Sequence, residues 1–274
     1  MEVEVAEKGV VILGAIHQLA ILYSVHDKLC EAEKMYKWAL KGYEKALGAE
    51  HESTLDTAND FGNLYADQGK LDEVEQMYQQ VLQGKKNALG AEHMSTLDTV
   101  QNIGLLYAKQ GKLREAEQMY QWALQGREKV LGAEHISTFD IVSNLSLYAA
   151  IQGKLGKAEE MYQRALQGYE KALGADNAST YLPALRTMRN IGILFEDQAD
   201  IPNAKIAHSK ALIGYVKVFG PDHPESQRVQ DSLRALDSVT GDKTLPGVSE
   251  NFQEEASHLG AKETLRRSKR HKTA

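Results

Sequence analysis

Asp60, Asn102, Asn144 and Asn190 each stand directly before an apolar residue followed by Gly or Ser: Phe61-Gly62, Ile103-Gly104, Leu145-Ser146 and Ile191-Gly192. Four residues before each comes Asp56, Asp98, Asp140 or Arg186, and Asn59, Asn63 and Arg189 lie beside them. An asparagine amide both donates and accepts, which is what a peptide backbone requires of a partner. Carboxylates beside it attract cations. This is the chemistry of holding a chain, not of breaking a bond.

Other reactive residue types do not assemble into a catalytic set. His51, His93 and His135 recur 42 residues apart. Zinc needs its ligands at about 2.1 Å from one ion, and equivalent points on packed helices lie about 10 Å apart. These histidines are therefore expected to cap loops, and no metal or cofactor is expected. Cys30 is the single cysteine and sits near Asp27 and Glu31, which raise a thiol pKa rather than lower it. No Ser/His/Asp or Cys/His context is visible, so the chain is expected not to be an enzyme.

The elements that must position the Asn/Asp column repeat with it. Glu33, Met35 and Tyr36 recur as Glu75, Met77 and Tyr78, as Glu117, Met119 and Tyr120, and as Glu159, Met161 and Tyr162. A fixed period of this size marks a stacked array of one supersecondary unit. In residues 52–89, Leu55, Ala58, Phe61, Gly62 and Tyr65 form one helical stripe, and Leu71, Val74, Tyr78, Val81 and Leu82 form another. Gln68-Gly69-Lys70 breaks the pattern between them, and Ser53-Thr54 is the expected start of the first helix. Neither helix can bury its stripe alone.

The predicted repeats are 10–47, 52–89, 94–131, 136–173 and 179–219, after an N-terminal tail of residues 1–9. The last repeat carries four extra residues near Tyr181-Leu182-Pro183, and Pro183 suits a first helical turn. Residues 222–239 are predicted to be a capping helix. Residues 240–274 are predicted to be a disordered basic tail ending in Arg266-Arg267-Ser268-Lys269-Arg270-His271-Lys272.

Gly42, Gly84, Gly126, Gly168 and Gly214 share one mid-helix register. Each costs about 1 kcal/mol relative to alanine, so close helix approach is expected there. Trp38 and Trp122 share another register and are expected to be partly buried against neighbouring repeats.

The 274 residues carry a net charge of −6. That balance argues against nucleic acid, which needs a basic stripe. Gly9 to Val25 is apolar, but its flank is acidic (Glu2, Glu4, Glu7) and it is short for a membrane span. It is read as a buried first helix, with no membrane partner. A lone cysteine fits a reducing compartment. The cytoplasm is expected, with the nucleus as the second address through the basic run.

These units resemble tetratricopeptide repeats. The matching residues are Phe61-Gly62, Tyr65, Gly69, Leu71, Val74, Tyr78 and Val81, then Ile103-Gly104, Tyr107, Gly111, Leu113, Ala116, Tyr120 and Ala123. The 42-residue step, with Leu89-Gly90-Ala91-Glu92-His93-Met94-Ser95-Thr96-Leu97 between units, resembles the kinesin-light-chain form. Similar arrays occur as the C-terminal part of fungal nucleotide-binding, immune-receptor-like proteins. No heptad coiled coil and no nucleotide-binding Gly-rich loop accompany the repeats here.

The resemblance implies an all-α, right-handed superhelical solenoid of about five antiparallel helix pairs, with first helices lining a concave groove. It also implies a non-catalytic, adaptor-like scaffold, monomeric, binding a protein or peptide partner in that groove. Asp56, Asn59, Asp60, Asn63, Asp98, Asn102, Asp140, Asn144, Arg186, Arg189 and Asn190 are its expected contacts. Asp98 and Asp140 repel a terminal carboxylate, so the carboxylate clamp of chaperone-binding relatives is not expected in the middle repeats. The column predicts a groove acidic at one end and basic at the other. A ligand-sensing or autoinhibitory array cut from a nucleotide-binding receptor is the alternative, and a spacer or self-assembling array is a third class.

Overall fold

The computed structural model describes the backbone of residues 2–238 and side chains from residue 9 to residue 238. The expected tail 240–274 lies outside the described residues. Among the described residues the fold is all-α, with helices and no strands. The chain divides into two compact units, residues 1–123 and 124–256.

The first unit holds α1 (Glu2–Val25), α2 (Leu29–Leu47), α3 (Glu52–Asp67), α4 (Leu71–Ala88), α5 (Met94–Lys109) and the opening turns of α6 (Leu113–Leu131). Helix α1 begins at Glu2, inside the stretch predicted to be a tail. His51, not Ser53-Thr54, caps α3: its Nδ1 accepts from the Ser53 amide. Thr54 is buried and donates from Oγ1 to the Gly48 carbonyl instead. His93 repeats the cap on α5. A histidine ring reaches the second amide of the helix with a β-region backbone, which is the geometry an N-cap needs.

Helix α3 ends in a tight reversal. Gly69 takes φ +76°, a left-handed conformation that a glycine adopts without a Cβ penalty. The Lys70 amide then bonds back to the Tyr65 carbonyl at 3.0 Å. The stripes of neighbouring helices fill the interior. Ala20, Ile21, Ala32, Tyr36, Phe61 and Leu64 form one cluster, and Val74, Tyr78, Ile103 and Leu106 form the next.

The second unit holds the rest of α6, then α7 (Ile136–Ile151), α8 (Leu155–Leu173), α9 (Ala175–Ala178), α10 (Leu182–Asp197), α11 (Ile201–Phe219) and α12 (Pro224–Ser238). His135 caps α7 as His51 caps α3. The extra length of the last repeat, expected near Tyr181-Leu182-Pro183, lies earlier, as the short helix α9, and Pro183 sits in the first turn of α10. Helix α12 covers Leu185, Ala211 and Tyr215 with Val229.

The mid-helix glycines do permit close approach. A Cβ on Gly84 would lie 2.7 Å from a Leu55 methyl, one on Gly42 2.2 Å from Leu13, and one on Gly168 2.2 Å from the Phe139 ring. On Gly214 it would also meet the Ser179 carbonyl oxygen at 2.5 Å. The tryptophans divide. Trp122 is half-buried with Lys86 Nζ 5.5 Å from its ring centre, whereas Trp38 is exposed, contrary to expectation. Lys34, Lys37 and Lys41 stand on either side of Trp38 in the sequence.

Candidate peptide-binding groove

In the first unit, α3 and α5 bring six of the predicted residues to one pocket of about 430 Å³: Asp56, Asn59, Asp60, Asn63, Asp98 and Asn102. His17 and Gln18 from α1 and Lys85 from α4 complete its polar wall. The asparagines do not form the free surface ladder that the sequence predicts. Asn59, Asn63 and Asn102 are buried. Asn59 Oδ1 accepts from Thr99 Oγ1 at 3.1 Å and from Asn102 Nδ2 at 3.2 Å. The buried Tyr78 hydroxyl donates to Asn63 Oδ1. A polar atom placed out of water must be bonded, so part of the column's repetition is explained by repeat-to-repeat packing.

The acids are partnered as well. Asp56 lies 2.8 Å from Lys85 Nζ and accepts from Ser95 Oγ at 2.7 Å. Lys85 is fully buried and donates also to the Ser95 carbonyl. Asp60 lies 2.9 Å from His17 Nε2, and Asn59 and Asn63 both donate to its other oxygen. Lys85 and His17 were missed in the sequence. The signal for Lys85 was present: it falls one turn after Val81 on the apolar stripe of α4, where a charge needs a partner.

In the second unit the same registers hold different pairs. Asp140 is buried and accepts from the Tyr169 hydroxyl at 2.9 Å and from Tyr181 at 3.3 Å. Ser143, the counterpart of Asn59, bonds Thr187 Oγ1 at 2.6 Å. Arg127, the counterpart of Lys85, donates to the Ser137 carbonyl. Asn144 and Asn190 are buried; among the described residues Asn144 Nδ2 and Asn190 Oδ1 have no hydrogen-bond partner. Arg189 is buried and reaches Glu225 at 2.8 Å, and Arg186 is half-buried. The predicted division into an acidic end and a basic end is therefore corrected: internal pairs absorb Asp56, Asp140 and Arg189.

Two carboxyls at one register are shifted. Burial pushes Asp67 up to about 6, against the pull of Lys109 at 3.6 Å. Burial pushes Asp197 up to about 6 too, with Glu196 adding to it. Among the described residues no three His, Cys, Asp or Glu side chains meet as a metal site. Cys30 is exposed on the first turn of α2. No described helix is long and apolar enough to cross a membrane.

A tetratricopeptide repeat profile matches residues 12–87 and 94–171, and a second one matches 184–225. The chain belongs to the tetratricopeptide repeat family. A solved structure from Podospora anserina, described as a kinesin light chain with nearly identical TPR-like repeats, is similar at 20% identity and a TM-score of 0.60. That match covers 75% of this chain and 95% of the other. BtubC (BKLC) from P. vanneervenii is 16% identical over 97% of this chain and 92% of its own, with a TM-score of 0.59. A Rap protein complexed with competence and sporulation factor is 15% identical over 85% of this chain and 64% of its own, with a TM-score of 0.54. These likenesses show the fold, an all-α solenoid of helix pairs. No curated protein matches the chain.

Proposed function

We propose that this tetratricopeptide array is a non-catalytic scaffold that holds an extended peptide segment of a partner protein in the α3–α5 groove. The fold is in general a protein-interaction scaffold, and a neighbour of this fold, Rap, was solved with a bound factor. The observation that carries the reading is the pocket itself. Six predicted contact residues line one concave space of about 430 Å³ on rigid helices, and rigid elements present contacts at low ordering cost.

Its electrostatics select the ligand. Glu52, Asp56, Asp60 and Asp98 face the pocket, with Lys85 as the one lysine or arginine in its lining. The surplus is negative, so a segment bearing Lys or Arg fits and an acidic segment is rejected. Asn102 sits at the pocket edge with its Nδ2 already given to Asn59, leaving its carbonyl oxygen to accept from a peptide N–H.

Arrayed nonapeptides with single Lys or Arg residues, set against Asp or Glu counterparts, test this with the purified full chain. Basic peptides should be retained. Retention should fall about tenfold or more in Asp98→Asn/Asn102→Ala, the scale of one or two lost charged hydrogen bonds. Equal retention of acidic peptides, or an unchanged pattern in the variant, would sink the proposal.

A further inference from the structure

The fifth repeat departs from the other four at one packing register. Met35, Met77, Met119 and Met161 hold that register on the second helices, and each packs on a core cluster. Their counterpart on α11 is Ala207. In the fourth repeat Met161 and Leu124 both pack on the cluster of Phe139 and Val142. In the fifth, the counterparts Ala207 and Leu166 face a cavity of about 360 Å³ instead. Met188, Ile191 and Phe195 of α10 and Ala178 of the inserted helix α9 line it with them. Interiors leave few voids larger than a water molecule, so an apolar hollow of this size calls for an apolar occupant.

The rim differs as well. Ile206, which borders the cavity, is 54% exposed, and Ile213, two turns along α11, is 69% exposed. At these two registers the other repeats carry only exposed Lys, Gln or Glu, such as Gln76 and Gln83 in the second. Lys210 stands at the cavity where the fourth repeat pairs Arg164 with Glu128 at 3.1 Å. Helices α2, α4, α6 and α8 each contain three Asp or Glu. Helix α11 contains none, and it carries Lys205, Lys210 and Lys217. The exposed side of this one helix is apolar and cationic together.

We propose that the cavity takes Phe252, carried by residues 249–256 of the same chain, with the neighbouring glutamates set against the lysines of α11. The inference stands apart from the groove reading. Three observations select this occupant. Phe252 is the one Phe, Tyr or Trp in residues 239–274, and its ring suits the Met188, Ile191 and Phe195 walls. Residues 244–261 carry Glu250, Glu254 and Glu255 and no Lys or Arg, which complements a helix bearing lysines alone. The path is also short. Asp237, in the last turn of α12, lies 2.6 Å from Lys205 Nζ, so the chain leaves α12 beside the residue that precedes Ile206. Phe252 follows Ser238 by 14 residues. That length reaches about 45 Å when extended, more than the about 28 Å of α11.

A full chain carrying Cys30→Ser, Ser209→Cys and Gln253→Cys reads the contact directly, because Ser209 is exposed on α11 about one turn from Ile206. In oxidised glutathione the internal disulfide should form at a rate that does not change with protein concentration, from about 5 to about 100 µM. Adding Phe252→Ala should slow it about tenfold, the worth of one buried aromatic side chain. Adding Ala207→Met, which restores the residue of the other four repeats, should slow it as much with unchanged helical circular dichroism. If that variant unfolds, Phe252→Ala decides alone. Glu254→Lys/Glu255→Lys should slow it about threefold, an effect that high salt removes. A bond that forms only between copies would give the cavity to a second chain. A rate unmoved by Phe252→Ala would mean that the segment meets α11 through its tether alone. Either result would overturn the proposal.

Discussion

The two units answer the same packing problem with different chemistry. In the first, the inward register of the second helix is Lys85, and it neutralises Asp56 while bonding the Ser95 carbonyl. In the second, Arg127 keeps a cation at that register on α6 and bonds the Ser137 carbonyl, while on α8 Tyr169 puts a neutral phenol there that donates to Asp140. At one register the first unit links its repeats through Asn59, which accepts twice, and the second through the hydroxyl pair of Ser143 with Thr187. The contrast teaches that the column of polar residues is first an assembly device. Around the α3–α5 pocket the same column is also the surface we propose to hold a peptide.

The contrast can be broken most forcefully at Lys85. Lys85→Met keeps the buried stem but removes the charged hydrogen bonds of Lys85 to the half-exposed Asp56 and to the Ser95 carbonyl, a loss of about 2–3 kcal/mol. Tyr169→Phe removes one neutral-donor bond and should cost about 1–2 kcal/mol. Urea unfolding of the two variants should rank them in that order; equal losses would mean the ionic and phenolic solutions are equivalent.

Glycine gives the next effect. Gly214→Ala drives a Cβ into the Ser179 carbonyl, a backbone atom beside α9 that cannot rotate away. A loss of about 2 kcal/mol is expected. Gly84→Ala meets only a Leu55 methyl, and helix propensity returns up to about 1 kcal/mol, so its melting point should barely move. Of similar size, Asn59→Ala should cost about 2 kcal/mol because two donors lose their acceptor, against about 1 kcal/mol for Ser143→Ala. A double-mutant cycle of Asn59 with Thr99 should show coupling.

The smallest effect is read by pH. Asp67 and Asp197 hold the same register, and both carboxyls titrate near 6 in the fold rather than in the usual aspartate range. A raised acid favours the folded state while protonated. That contribution is complete below the ordinary aspartate value and is lost as pH rises through about 6. Asp197→Asn should therefore flatten the decline between pH 4 and about 7 and raise stability at neutral pH. Asp67→Asn should gain less, since it also strands Lys109. Denaturant midpoints across pH decide it; an unchanged slope in Asp197→Asn would remove Asp197 as the source.

Repeat length, helix pairing and the tight glycine register were legible in the sequence, because a 42-residue period fixes which stripes face each other. The six pocket residues were legible for the same reason. Their partners were not. Asn59 with Asn102 and Asp56 with Lys85 lie on different helices, and periodicity names faces without naming which polar atoms meet across them. The histidine caps were anticipated as loop hydrogen bonds, but Ser53 and Thr54 were read as the cap itself. Ser53 supplies the capped amide, and Thr54 turns back to Gly48. Trp38 misled because a shared register with Trp122 does not guarantee a shared neighbour.

The cross-repeat bonds described above span nearly constant distances along the chain: 43 residues from His17 to Asp60, 40 from Asn59 to Thr99, and 44 from Ser143 to Thr187. The entropy of closing such a loop depends on that span alone. Each added repeat therefore meets the same search as the one before it, and lengthening the array extends its surface without slowing the folding of any part.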